Sequence, residues 1–299
     1  MTPVVIDDLS TGSRDAIPSG VAFFRGNASE ESLIERAVIE HGVSAVLHFA
    51  GSIIVPESFQ DPLGYYYNNT VVSHALIRAC LKFNVRNIVF SSTAAVYGEP
   101  KSLPVSEDAA VHPLSPYGRS KWMTEQIIRD TANAHDLRYV ILRYFNVAGA
   151  DPQGRTGLRS RNATHLIKMA CDVALGRREM LKLYGSDYPT PDGTGIRDYI
   201  HVSDLADAHV RAMRYLAEGQ PSCTLNCGYG HGYSVREVVA AFERVTGRSL
   251  PTEIVGRREG DAAAVVAGAD LLRRRLGWMP RYDNLETIIS TSLEWELRH

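Results

Sequence analysis

The chain has 299 residues, enough to bury one large core or two smaller ones. Its 32 basic and 34 acidic residues nearly cancel, which excludes the electrostatic footprint of a nucleic-acid binder or a membrane-surface protein. Four scattered cysteines (Cys80, Cys171, Cys223, Cys227) exclude a disulfide framework, and no apolar run reaches membrane-spanning length. The expected partner is a small molecule or another subunit, not nucleic acid and not a membrane. With no secretion signal in the sequence, a cytosolic protein is expected. The Asn-x-Ser/Thr triplets at Asn27, Asn68 and Asn162 then read as chance matches. Cys223 and Cys227 share one strand with no second pair to complete a zinc site, so buried thiols and no metal are expected.

In chain order, "VVIDDLSTG" reads as a buried strand from Val4 to Asp8, closing on two acids before a turn at Thr11-Gly12. A strand over 21–26 and a serine-capped helix over 29–42 follow, with Gly42 as the stop signal. "SAVLHFAG" (44–51) is a short buried strand ending in small residues. A long helix is expected over 65–83, then the strand "NIVFSS" (87–92), a proline-bearing loop (99–116), a helix over 117–135 and a strand over 138–147. Such alternation, with strands apolar nearly throughout, predicts a parallel sheet with helices on both faces. After Gly149 the chain turns rich in glycine and arginine, and 148–162 reads as a mobile loop over a ligand site. Shorter mixed elements then predict a smaller lobe, placing the division at 1–164 and 165–299 with some elements returning to the sheet.

The sharpest chemical signal is "SPYGRSK". Tyr117 and Lys121, four apart at the start of a helix, share one face. A phenol with an ordinary pKa of about 10 is a poor base near neutrality, and a neighbouring ammonium favours its ionised form. The pair suits proton transfer at a sugar or alcohol hydroxyl. Upstream, "VFSSTAAVYG" places Ser91, Ser92 and Thr93 at the carboxyl end of a strand, where open α/β sheets bind ligands. Ala50 and Gly51 end another strand and let a flat cofactor approach the backbone. Asp7 ends its own, suited to a ribose diol. "LNCGYGHGYSVREVV" carries Gly228, Gly230 and Gly232, but Tyr233 breaks the Gly-x-Gly-x-x-Gly pattern, and the segment reads as a turn of the substrate lobe.

With these features in order, the chain resembles the extended short-chain dehydrogenase/reductase superfamily and, within it, the UDP-glucose (UDP-galactose) 4-epimerase family. The resemblance spans essentially all 299 residues. It is carried by "FSSTAAVYG", "LSPYGRSKWMTE", "LRYFNVAGADP", "GSDYPTPDGTGIRDYIHVSDLADAH" and "RREGD". It implies an α/β, Rossmann-like doubly wound parallel sheet with a smaller mixed α/β substrate lobe, a bound NAD and a UDP-hexose substrate. It also implies a catalytic set of Thr93, Tyr117 and Lys121: Tyr117 as base, Lys121 holding the nicotinamide ribose and tuning the tyrosine, Thr93 touching substrate. Asp7, Asn27, Ala28, Phe49, Ala50, Gly51, Asn69 and Tyr144 match cofactor positions beside Tyr117 and Lys121. Phe145, Asn146, His165, Leu166, Tyr184, Arg197, Arg258 and Asp261 match UDP-sugar positions. Two arginines also suit a diphosphate, which accepts forked donors.

The implied reaction oxidises C4 to a 4-keto sugar, turns that sugar over, and reduces its other face, with Tyr117 exchanging the 4-hydroxyl proton. A nucleotide-sugar 4,6-dehydratase normally carries an acidic pair after its catalytic threonine, whereas Ala94 and Ala95 follow Thr93 here. Val265, at the family's sugar-pocket gate, suggests room for an N-acetyl group and thus a UDP-N-acetylglucosamine 4-epimerase or bifunctional epimerase as the alternative. The family's first strand and Gly-x-x-Gly-x-x-Gly turn would lie before Met1. The fold is thus expected to miss its first βα unit, and the chain as written to hold NAD poorly and epimerise slowly. The alternative of another class is a non-catalytic nucleotide-sugar-binding fragment. The family often dimerises through the helices near 65–83 and 117–135, so a homodimer is expected.

Overall fold

The computed structural model describes residues 1–159 and 164–299, and the triplet at Asn162 lies outside them. The chain opens with β1 (Val4–Asp7), β2 (Ala22–Arg25), α1 (Glu31–His41) and β3 (Ala45–His48). Helix α1 stops where Gly42 takes a left-handed conformation (φ 62°), as its sequence predicts, but its N-cap is Glu30 with no side-chain cap.

The long helix expected over 65–83 is present, helical from Pro62 to Lys82, but it carries a π-helical turn and is separated from a short helix before it. In its region stand α2 (Val55–Gln60), α3 (Pro62–Tyr66), a π-helical turn (Tyr67–Val71) and α4 (Val72–Lys82). Pro62 cannot donate a helical hydrogen bond, and Asp61 caps the restart by accepting from Gly64 N. The π turn carries the buried Asn69. β4 (Asn87–Thr93) and α5 (Pro116–Ala134) follow, the helix capped by Ser115 with proline at its first position.

β5 (Arg138–Tyr144) and β6 (Asn146–Ala148) replace the single strand expected over 138–147. The chain changes partners at this break: Phe145 N donates to Cys227 O, and Asn146 N to Asp198 O. Next come α6 (Leu166–Ala174), β7 (Leu181–Tyr184), β8 (Ile196–Arg197), β9 (Tyr199–His201) and α7 (Val202–Ala217). The remainder is β10 (Cys223–Cys227), β11 (Tyr233–Ser234), α8 (Val235–Thr246), β12 (Thr252–Val255), β13 (Ala264–Val265), α9 (Asp270–Leu276) and α10 (Leu285–Arg298). Among the described residues no helix is long and apolar enough to cross a membrane.

Two compact units result. The first comprises Met1–Val96, Pro113–Leu142 and His209–Thr224. β1 and β2 pair in parallel, Val4 opposite Ala22; β3 and β4 pair in parallel, Ala45 opposite Asn87, within the strand order β10-β5-β4-β3. The expected parallel sheet is present in two pieces. Its core gathers Ile34, Leu76, Ile77, Ile88, Phe90, Ile128 and Ile141, so α1, α4 and α5 bury apolar faces against the strands.

The second unit comprises Tyr97–His112, Arg143–Ala208 and Leu225–His299. It holds the parallel pairs β6–β9 and β7–β12 and the three-stranded order β11-β8-β13. The glycine turn at 228–232 is tied to Asp198, whose buried carboxylate accepts from Tyr229 N and Gly230 N, each at 2.9 Å, and from Ala267 N at 3.2 Å. Amides that a phosphate loop would offer to a ligand are bound by the protein itself, and Ser234 and Glu237 then start α8 with a reciprocal capping box. The described part of the loop expected to be mobile carries contacts of its own. Trp295 Nε1 donates to Leu158 O (2.9 Å), Arg159 lies over the same indole, and Asp151 pairs with Arg155 at 2.6 Å.

Candidate active site

In the first unit, β4 delivers Thr93 at its carboxyl end and a short 3-10 turn (Ala94–Val96) follows, with Ala95 N donating to Thr93 Oγ1 at 3.1 Å. Helix α5 begins against this turn because residue 118 is glycine: a methyl there would stand 2.7 Å from Ala95 O. Tyr117 and Lys121 consequently lie on the buried side of α5, 9 % and 2 % exposed. The Lys121 ammonium sits 4.7 Å from the centre of the Phe90 ring and forms no hydrogen bond among the described residues.

The expected tuning of the phenol differs in one respect. Burial pushes the Tyr117 pKa up, and the neighbouring Thr93 hydroxyl, not Lys121, is what opposes that shift. Burial also brings Lys121 down to about 8, against the pull of Glu125 in the other direction. Both groups therefore titrate away from their ordinary values, as at sites of proton transfer.

Sequence reasoning missed three neighbours. Tyr65 sets its ring edge-on to Tyr117, centroids 6.5 Å apart, while its hydroxyl lies 2.7 Å from both Ile54 O and Glu57 Oε2. His48 is buried, its Nε2 2.7 Å from Ser73 Oγ. Because the Ser73 hydroxyl donates to Asn69 O, the histidine Nε2 carries the proton. Glu125 is fully buried one turn beyond Lys121. Only Glu125 had a readable signal, as the third member of a four-residue repeat on α5.

Asn69 ties the site together. Its Oδ1 accepts from Ser52 N (2.7 Å), and its Nδ2 donates to Ser52 O (3.0 Å) and Ser120 Oγ (2.9 Å). Both amide hydrogens are thus committed to the protein. Gly51 makes room for it: a methyl there would stand 2.7 Å from Asn69 Oδ1. Phe49 is 53 % exposed, its ring against His209 at 4.9 Å, and Ala50 is exposed beside it. At the end of β1, Asp7 Oδ1 accepts from Leu9 N at 2.7 Å, and Gly12 leaves the carboxylate clear. Asn27 closes its own turn, accepting from Ser29 N at 3.0 Å with half-buried Ala28 between them.

In the second unit, β8 and β13 run in parallel with Arg197 opposite Val265, and Asp261 Oδ1 lies 3.8 Å from Arg197 Nη2. Arg258 stacks on the Tyr184 ring at 3.9 Å, leaving that ring 37 % exposed. Asp261 N donates to Arg258 O at 3.3 Å, joining the two arginine-bearing pairs through one turn. Phe145 is buried at the strand break, between half-buried Tyr144 and Asn146. Exposed His165 stands just before α6 without a side-chain capping bond and Leu166 opens that helix, and among the described residues no hydrogen bond or ion pair joins either to the Arg197–Asp261 pair.

Comparison with known proteins gives the family. The sequence profile described as the NAD dependent epimerase/dehydratase family matches residues 2–228. The UDP-glucose 4-epimerase of Azospirillum brasilense is 57 % identical over 293 residues, covering 98 % of this chain and 84 % of that protein. The crystal structure of UDP-glucose 4-epimerase from Brucella ovis in complex with NAD is 44 % identical with a TM-score of 0.94, covering 98 % of this chain and 90 % of that one. The UDP-Glc/GlcNAc 4-epimerase of Campylobacter jejuni is 43 % identical with a TM-score of 0.83, covering 99 % and 92 %. The chain belongs to the NAD dependent epimerase/dehydratase family.

Proposed function

We propose that the chain interconverts UDP-glucose and UDP-galactose with NAD as its cofactor. The observation that carries this reading is the buried pair Tyr117 and Lys121 on α5 beside Thr93, in a chain 57 % identical to a UDP-glucose 4-epimerase. NAD, when bound, accepts the C4 hydride and returns it. The residues present fit it: Lys121 is a buried ammonium without a protein acceptor among the described residues, suited to ribose hydroxyls, and Gly51 leaves a flat edge beside it. Asp7 fits the adenosine ribose, and Asn27, Ala28, Phe49, Ala50, Asn69 and Tyr144 complete the set assigned to the cofactor.

Tyr117 takes the proton of the sugar 4-hydroxyl and gives it back on the opposite face, and Thr93 holds that oxygen. Arg197 and Arg258 hold the diphosphate. Phe145, Asn146, His165, Leu166, Tyr184 and Asp261 are assigned to the rest of the UDP-sugar. The turn after Thr93 is Ala94-Ala95-Val96, which offers no carboxylate for elimination of water and so speaks against a dehydratase. Incubation with UDP-galactose and added NAD is expected to give UDP-glucose in an equilibrium mixture. A 4-keto-6-deoxy product would overturn the reading, and so would binding of the nucleotide sugar without turnover.

A second reading extends the substrate range to UDP-N-acetylhexosamines. Val265, half-buried opposite Arg197, is small, and the C. jejuni relative is named for both sugars. Val265→Tyr is expected to abolish turnover of UDP-N-acetylglucosamine while sparing UDP-galactose. We also assign a homodimer and a cytoplasmic location. Support for the first is the exposed apolar surface on the elements expected to pair, Leu63, Tyr67, Val71 and Met123.

A further inference from the structure

Tyr117, Lys121 and Glu125 recur every four residues along α5 and stand on one face of it. Their exposure falls along the series, 9 %, 2 % and 0 %. A carboxylate so deep in a protein persists only when it is paired and hydrogen-bonded. Glu125 is both: Ser92, the residue before Thr93, donates its hydroxyl to Oε1, and Arg129 Nη2 donates to Oε2 at 2.9 Å. Arg129 also donates to Thr224 Oγ1 and lies against Trp122, which fixes its position.

Resting on the proton-transfer reading above, we propose that Glu125 is a positioning residue acting through Lys121: its buried carboxylate, held by Ser92 and Arg129, keeps the Lys121 ammonium charged beside Tyr117. The groups around that ammonium leave the role to Glu125. From β3 comes His48, from β4 the uncharged Phe90, from the π turn the uncharged Asn69, and from α5 itself Tyr117 and Glu125. Tyr65 and Glu57 lie behind Tyr117. His48 is held neutral down to about pH 3 by burial and by Lys121, so it adds no second cation. Burial alone discharges an ammonium, and among these groups Glu125 is the one that opposes it.

The bland alternative is that Glu125 and Arg129 merely tie α5 to β10. That role predicts lost stability on mutation and no change in how Lys121 titrates. The chain has five lysines, so carbon-13-labelled lysine gives a resolvable spectrum, and Lys121→Met identifies the signal. In the 299-residue chain without nucleotide, Glu125→Gln is expected to lower the Lys121 midpoint by about one pH unit. Glu125→Asp is expected to restore most of it, and Arg129→Gln to lower the midpoint as well, because it removes the partner that the buried carboxylate needs to persist. The alkaline limb of kcat follows in the same directions.

A midpoint unmoved in Glu125→Gln overturns the proposal. Should that variant not fold, a midpoint that stays or rises in Arg129→Gln overturns it instead. Because the titration needs neither substrate nor NAD, a moved midpoint in a chain without epimerase activity would sink the functional reading alone. Normal epimerisation with an unmoved midpoint would sink only the role of Glu125.

Discussion

At the level of single residues the site depends on close approaches that tolerate little change. A methyl at Gly51 would meet Asn69 Oδ1 at 2.7 Å and come within 3.8 Å of Lys121 Nζ. Gly51→Ala is expected to weaken NAD binding at least about tenfold, measured by fluorescence titration, with a stability loss of about 1–3 kcal/mol. Tyr117→Phe keeps the ring and removes the proton carrier. It is expected to lower kcat by about 10²–10⁴-fold with little change in KM, measured by initial rates. Tyr117 and Lys121 were legible in the sequence because their relation is local, one helical turn. Glu125 continues the same spacing and was equally within reach. His48 and Tyr65 were not legible: their partners, Ser73 and Ile54, lie 25 and 11 residues away, and only the folded chain brings them together.

Among the elements, α5 carries the chemistry and its start is set by two residues. Ser115 caps it by accepting from Gly118 N at 3.1 Å, and Gly118 allows contact with the Ala94–Val96 turn. Gly118→Ala would force Ala95 O back from 2.7 Å. An expected loss of about 1–3 kcal/mol in urea unfolding is then accompanied by a kcat decrease, since Tyr117 moves with the helix. The stop at Gly42 could be read because caps are local chemistry, whereas the serine cap expected at the start of α1 gave way to Glu30. The π turn at Tyr67–Val71 and the break at Phe145 could not be read. One needs the buried Asn69 to hold a π turn, and the other needs Cys227 and Asp198 as new backbone partners.

For the whole molecule, alternating apolar strands and amphipathic helices made the parallel α/β class readable, because burial on both faces leaves that pattern in any such chain. The division of the sheet into two pieces was not readable, since strand neighbours are chosen by packing between distant segments. Stability should carry the mark of the buried His48. Its pKa falls to about 3 from an ordinary 6.5, so between those values the unfolded chain binds the extra proton. The His48 contribution is fully present above about pH 6.5 and declines as pH falls towards 3. Between pH 7 and 4.5 the loss is expected to be about 2–3 kcal/mol in urea unfolding, and His48→Gln is expected to flatten it.

The central claim is that the C4 hydrogen leaves the sugar and returns to the same carbon on its other face. The most direct measurement is turnover of UDP-galactose deuterated at C4, with NAD, followed by mass spectrometry and NMR of the product. The expected product is UDP-glucose that keeps its deuterium at C4 with inverted configuration, formed far more slowly by Tyr117→Phe. Product in which solvent hydrogen has replaced the label, or equal rates in the variant, would contradict that claim.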